Sequence, residues 1–292
     1  MRFAQLYRQA VRRLSQAGIE EAGNDAALLL EWCFGLTRSQ LLLHGEQDAG
    51  VERLACFEAA LERRAAREPL HYITGIREFW SLDFVVSPAV LIPRPETEFL
   101  LDHILSICGG AGFSGGPVLD MCTGSGVIAV VLALELGADR VVAVDQSFAA
   151  LRVARGNIRK HRQSGRVDLL CSDLFSAVRP GPAFELIVAN PPYVAAGTLA
   201  SLQPEVRDWE PESALAAGSL GLDIIERLVR QAPFFLKPGG WLFLEIGADQ
   251  EAAVYRLVAG QGGAVYDSVA VVSDWAGRPR VLQARKKRND NG

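Results

Sequence analysis

The feature that most constrains this chain is the alternation of short apolar runs with helical segments from residue 117 onward. Pro117-Val118-Leu119-Asp120-Met121 is apolar and too short for a helix, 127–136 has helical length and pattern, and Val141-Val142-Ala143-Val144-Asp145 is a second apolar run. The alternation continues with a helix over 148–162, strands over 167–171 and 184–189, a helix over 222–235, a strand over 240–246, a helix over 251–259, and strands near 264–272 and 279–284. Apolar runs of four to six residues read as strands buried on both faces. Such strands, spaced by helices, form an α/β domain whose mainly parallel sheet is covered on both sides.

The first 75 residues read differently. Phe3, Leu6, Tyr7, Ala10, Val11 and Leu14, then Ala26, Leu29, Leu30, Cys33 and Phe34, recur at helical spacing. Asn24-Asp25 is expected to cap the second helix, and a third is expected over 51–67, closed by Pro69. Residues 76–94 change character again. Phe79, Trp80, Leu82, Phe84, Val85 and Val86 predict two short strands with Ser81 and Asp83 near the turn, and Pro88, Pro93 and Pro95 predict a stiff connector. A helix follows from about Glu96. The expected organisation is a helical domain over 1–75, a β-hairpin linker over 76–94, the α/β domain over 95–285 and a polar tail over 286–292. The helical domain is a packing unit, a recognition module for a macromolecule, or both, and it is expected to serve as a substrate-recognition domain.

Composition narrows the function classes. The formal net charge is −4, and residues 1–75 hold nine Lys+Arg against ten Asp+Glu, so no basic face for nucleic acid is expected. No apolar run approaches the roughly 18 residues that a membrane span needs. The start, Met1 to Arg8, has no apolar core of a secretory signal, so a cytoplasmic location is the default expectation. The five cysteines include no C-x-x-C pair and the four histidines are scattered, so neither a disulfide framework nor a metal site is expected.

The first strand of the α/β domain runs into Asp120-Met121-Cys122-Thr123-Gly124-Ser125-Gly126 and then a helix. Small residues let the backbone turn tightly against a ligand, and the helix start offers free N–H donors. Asp145 ends the second strand, where a carboxylate can accept from ribose hydroxyls. Gly124-Ser125-Gly126-Val127-Ile128-Ala129 also fits the G-x-G-x-x-A dinucleotide fingerprint, so an NAD-dependent oxidoreductase competes at this point, as does a non-catalytic nucleotide binder. Asp120 suits a ligand bearing a positive amine better than a pyrophosphate. Asp173 follows the third strand, where an acid could take a hydrogen bond from an adenine amino group, with Leu174 and Phe175 covering the ring.

Asn190-Pro191-Pro192-Tyr193 discriminates further. It follows the fourth strand directly, at the carboxyl edge where α/β sheets bind ligands. A planar NH₂ group is a poor nucleophile, so a site that alkylates it must hold its hydrogens and aim its nitrogen. The Asn190 side-chain carbonyl and the Pro191 backbone carbonyl are two rigid acceptors for that purpose, and Tyr193 offers a flat wall. In-line methyl transfer from a sulfonium then needs mainly proximity and alignment. The nitrogen acceptor is either a protein amide or an exocyclic base amine.

These motifs, with Arg77-Glu78-Phe79-Trp80-Ser81-Leu82 and Leu91-Ile92-Pro93-Arg94-Pro95-Glu96-Thr97-Glu98, resemble the release-factor glutamine methyltransferases of the HemK type over nearly the whole chain. The resemblance implies a seven-stranded class I methyltransferase (Rossmann-like) sheet, with S-adenosyl-L-methionine as cofactor. It implies peptide chain release factors as the protein substrate, methylated on the glutamine of a Gly-Gly-Gln motif. Glutamine methylation of a ribosomal protein is the near alternative. By the resemblance, residues 122–126 hold the methionine part of the cofactor, Asp145 the ribose, Leu174 lies near the adenine, and Asn190 to Tyr193 grip the glutamine. Cys122 stands where many members have glycine, so φ there is expected to be negative. Leu174 stands where some have tryptophan, so stacking there is expected to be weaker.

Overall fold

The computed structural model describes residues 1–109, 113, 115–260 and 265–288. They divide into two compact units, Met1–Ile76 together with Gln203–Trp209, and Arg77–Leu202 together with Glu210–Gly292.

The first unit is helical: α1 (Phe3–Gln16), α2 (Ala22–Phe34), α3 (Arg38–Leu43), α4 (Leu54–Ala65) and α5 (Leu70–Thr74). Its core is built from the periodic positions, with Leu6, Leu14, Leu29, Leu30 and Phe57 all buried. Asn24 and Asp25 lie inside α2 rather than capping it, because Asp25 has a buried partner: Arg64 Nε donates to it at 2.7 Å. Pro69 opens α5 instead of closing α4, and α3 and α5 are too short to show a hydrophobic period. The segment Gln203–Trp209, which carries the short helix Pro204–Arg207, joins this unit through Glu205. That carboxylate takes Arg64 Nη2 at 2.9 Å and Arg67 Nη2 at 2.6 Å.

A hairpin follows, β1 (Ile76–Phe79) and β2 (Leu82–Val85), which belongs to the second unit from Arg77 onward. Its two turn residues, Trp80 and Ser81, have φ of 56° and 55°, the mirror-image turn whose twist matches the strands. Glu98 and Glu78 each accept a turn N–H at 2.7 Å. After α6 (Pro95–Cys108) come β3 (Val118–Met121), α7 (Val127–Glu135), β4 (Val141–Asp145), α8 (Phe148–Lys160), β5 (Val167–Cys171) and β6 (Phe184–Ala189). Beyond the Pro204–Arg207 turn, α9 in chain order, lie α10 (Asp223–Gln231), β7 (Leu236–Glu245), α11 (Glu251–Ala259), β8 (Tyr266–Ser273) and β9 (Pro279–Lys286). Pro233 ends α10 earlier than the periodicity suggests, and β7 begins at Leu236, four residues ahead of the expected start, with a register shift against β6. Residues 289–292 of the expected tail lie outside the described residues.

The sheet has seven strands in the order β5-β4-β3-β6-β7-β9-β8. The pairs from β5 to β7 are parallel, and β9 is antiparallel to both neighbours. Side chains alternate between its faces. Val118, Val141, Ala143, Leu186 and Val188 pack with α6, α7 and α8, whereas Leu119, Met121, Val144, Ile187 and Leu244 pack with α10 and α11. The chain leaves β3 toward β4 and later returns to its other side as β6. That reversal opens a crevice at the carboxyl ends of β3 and β6.

Candidate active site

A cleft of about 950 Å³, its open mouth included, occupies that crevice. Four strand ends reach it: Cys122 to Ser125 after β3, Asp145 at the end of β4, Asp173 and Leu174 after β5, and Asn190 with Pro192 after β6. Ala89, Val90, Leu91 and Pro93 of the connector form another wall, and Pro211, Ser213 and Ala214 a third. No role was expected for either wall from the sequence.

The loop after β3 is tight. Gly124 and Gly126 have φ of 54° and 83°, and a Cβ on Gly126 would sit 3.1 Å from the Ala154 Cβ, so only glycine lets α8 approach. Cys122 departs from expectation: its φ is +59°, a left-handed conformation that a non-glycine residue adopts at a cost. Burial, then the neighbouring carboxylates, pushes its thiol well up, so it stays a neutral wall rather than a nucleophile.

Asp120 lies beneath the loop and does not line the cleft. Its Oδ2 accepts from Thr123 Oγ1 at 2.5 Å and from Ala129 N at 3.1 Å. Its Oδ1 is buried and has no hydrogen-bond partner among the described residues, and burial raises the carboxyl to about 7. Asp145 faces the cleft; its two oxygens take Gly124 N at 2.9 Å and Ser147 N at 2.8 Å, which orients the carboxylate and leaves lone pairs free. Burial raises its pKa, opposed by those backbone N–H groups.

At the end of β5, Asp173 lines the cleft but pairs with Arg227 at 2.8 Å. Leu174 lies on the wall with φ of 46°. Phe175 turns away and stacks on Phe235, ring centroids 4.4 Å apart, so it does not cover a ligand ring.

Asn190 lines the cleft. Its Nδ2 donates to Thr97 Oγ1 at 2.9 Å, and among the described residues no donor reaches its Oδ1. Thr97, in the first turn of α6, donates in turn to Glu245 Oε2 at 2.7 Å. Pro192 forms cleft wall; Pro191 is buried and Gly126 and Tyr193 do not line it. The flat-wall expectation for Tyr193 therefore gives way to another placement. Its hydroxyl donates to Glu245 Oε1 at 3.3 Å and its carbonyl accepts from Gln250 Nε2 at 3.0 Å, so both ends are tied to the segment around the end of β7.

Sequence reasoning missed Asn157 altogether. This buried residue of α8 donates to Ser125 O at 2.8 Å and Val85 O at 2.9 Å, and accepts from Val85 N at 2.7 Å. It ties the hairpin to the glycine loop, yet in the sequence it sits unremarked among the basic residues of a surface-like helix.

Residues 5–75 match the family model of the PrmC N-terminal domain and 95–203 that of the methyltransferase small domain. A release factor glutamine methyltransferase of Cereibacter sphaeroides is 45% identical over 98% of this chain and 99% of its own length. One of Moorella thermoacetica is 42% identical over 98% and 99%. Among solved structures, a methyltransferase from Pyrococcus furiosus is 19% identical, covers 80% of this chain and 100% of its own, and has a TM-score of 0.53, a likeness of fold alone. The fold is that of the class I methyltransferases, which sets aside the NAD-dependent oxidoreductase. Carried by an identity of 45% across nearly its full length, the conclusion is that this chain belongs to the release factor glutamine methyltransferase family.

Proposed function

We propose that this chain methylates the side-chain amide nitrogen of the glutamine in the Gly-Gly-Gln motif of peptide chain release factors, with S-adenosyl-L-methionine as the methyl donor. The observation that carries the reading is the state of Asn190: its Nδ2 donates one hydrogen to Thr97 Oγ1, and its carbonyl oxygen, which no donor among the described residues reaches, is the atom offered to a ligand in the cleft. A free carbonyl acceptor is what a substrate amide NH₂ requires.

The residues present fit the cofactor. Glycine lets the backbone at 124–126 come close to a ligand, Asp145 presents a carboxylate with unused lone pairs, and Asp120 Oδ1, without a partner among the described residues, lies buried under the loop. In this reading residues 122–126 hold the methionine part and Asp145 the ribose. Asp173 and Leu174 border the adenine. The bound cofactor supplies an electrophilic methyl group on a cationic sulfur.

Asn190 Oδ1 accepts one N–H of the glutamine amide and keeps its nitrogen directed across the cleft. Pro191 keeps the backbone after β6 rigid, and Pro192 limits the space beside the nitrogen. Tyr193 acts behind Asn190, through Glu245. No strong base is needed at the first step, because the amide proton leaves once the nitrogen is cationic. No helix among the described residues is long and apolar enough to cross a membrane, and a substrate drawn from the translation machinery places the reaction in the cytoplasm.

The test is incubation with labelled cofactor and purified release factors, followed by mapping of the methyl group by mass spectrometry. A label on the Gly-Gly-Gln glutamine is expected; a label confined to a nucleic-acid base or to a ribosomal protein would overturn the substrate assignment. Asn190→Ala should abolish transfer while S-adenosylhomocysteine still binds, and full activity in that variant would refute the role of Asn190.

A further inference from the structure

Resting on the function above, we propose that Thr97 and Glu245 are positioning residues that set the polarity of the Asn190 amide, so that its oxygen and not its NH₂ meets the substrate nitrogen. The two ends of a carboxamide are nearly equal in size, so shape alone does not choose between them. A flipped Asn190 would present donors to a substrate NH₂ that is itself a donor.

The hydrogen bonds run in one direction. Thr97 has a single hydroxyl hydrogen, and it goes to Glu245 Oε2 at 2.7 Å. What remains toward Asn190 is a lone pair, which accepts only from the nitrogen end, at 2.9 Å. Glu245 is fully buried, and its other oxygen accepts from the Tyr193 hydroxyl at 3.3 Å. An ionised carboxylate only accepts, so its charge fixes the sense of the whole relay. A protonated one could donate to Thr97, turn the threonine hydrogen toward Asn190 and favour the flipped amide.

The fold holds the three partners in place. Pairing of Ala189 with Leu244 makes Asn190 and Glu245 the next residues along adjacent parallel strands. Thr97 comes from the first turn of α6 and is itself buried. Around the carboxylate stand Glu96 from the same turn, Tyr193 after β6 and Arg280 of β9, which also pairs with Asp274 at 3.3 Å. Burial pushes the Glu245 carboxyl up to about 7, against the Thr97 hydrogen bond and the Arg280 charge.

The experiment compares full-length wild type with Thr97→Val, Thr97→Ser and Glu245→Gln. It measures kcat and KM for a release factor, S-adenosylhomocysteine affinity, thermal midpoint, and NMR hydrogen exchange of the Asn190 side-chain amide. Thr97→Val should lower kcat by roughly 10- to 100-fold, the scale of a misaligned reacting group, with cofactor affinity within about twofold. Thr97→Ser, which keeps the hydroxyl, should recover most of that loss. Glu245→Gln should flatten the fall in kcat below about pH 7 that titration of the carboxylate imposes on the wild type. The Asn190 amide should exchange slowly in the wild type and fast in Thr97→Val. A Thr97→Val enzyme as active as wild type, a serine variant no better than valine, or an unchanged acid limb in Glu245→Gln would overturn the proposal. A wild-type enzyme that labels no release factor sinks the functional reading instead, and the exchange measurement, which needs no substrate, still decides the relay.

Discussion

Replacing Asn157 by leucine, a side chain of similar volume, isolates the polar contribution of this residue to the site. The carboxamide makes three hydrogen bonds: to Ser125 O in a buried setting, and to Val85 N and Val85 O in a half-buried one. Orphaning a buried carbonyl costs roughly 1–3 kcal/mol, and each half-buried group, which water can partly reach, about 0.5–1 kcal/mol. The sum is about 2–5 kcal/mol. For a unit of roughly 200 residues each kcal/mol shifts the midpoint by about 2–4 °C, so Tm should fall by about 4–20 °C. The loss should also have an address. In native-state hydrogen exchange the Val85 amide should lose protection, while the Val141 amide, bonded to Arg166 O in the sheet, should open only with the whole unit. S-adenosylhomocysteine should bind more weakly because Ser125 lines the cleft. A loss below about 1 kcal/mol, with Val85 protection intact, would refute the claim that this side chain binds the hairpin to the loop.

Two further outcomes follow from the loop after β3. At Cys122, glycine relieves about 1 kcal/mol of left-handed strain and gives up a similar amount in chain entropy and packing, so Cys122→Gly should lie within about 1 kcal/mol of wild type. Cys122→Val, β-branched at φ of +59°, should lose at least 1 kcal/mol more in urea titration. At Asp120 the folded-state pKa, about 7, exceeds the ordinary 3.8. The native state therefore keeps a proton that the unfolded chain has released, and this part of the stability is lost as pH rises from about 4 to 7. Stability of Asp120→Asn should decline less steeply over that window, and parallel curves would show that Asp120 does not titrate there.

Much of the site was legible because it is local. A short apolar strand, a run of small residues and a helix start are contiguous in sequence, and so are β6 and the Asn190 tetrapeptide. Alternation and strand length alone placed Cys122 to Ser125, Asp145, Asp173, Leu174 and Asn190 on one edge of one sheet. What stayed hidden depends on pairs distant in sequence. Thr97 and Glu245 are 148 residues apart, and no periodicity couples them. Tyr193 reads as a wall from its neighbours, and only the position of Glu245 shows it to be a brace. The left-handed turn at Cys122 was equally out of reach, because a cysteine side chain gives no local sign of a positive φ.

The ion cluster of the helical unit bears on the order in which the chain is finished. Arg64 and Arg67 precede Glu205 by 141 and 138 residues. At a synthesis rate of about 5–20 residues per second, on the order of 10 s separates the emergence of the two arginines from that of their shared acid. Helices α1 to α5 and their apolar core are complete in sequence by then. During that interval Asp25 is the acid, among the described residues, that pairs with Arg64. The final ion pairs of the helical unit thus form only after β6 and the Asn190 element have been made, and before β7, β8 and β9 exist to complete the sheet.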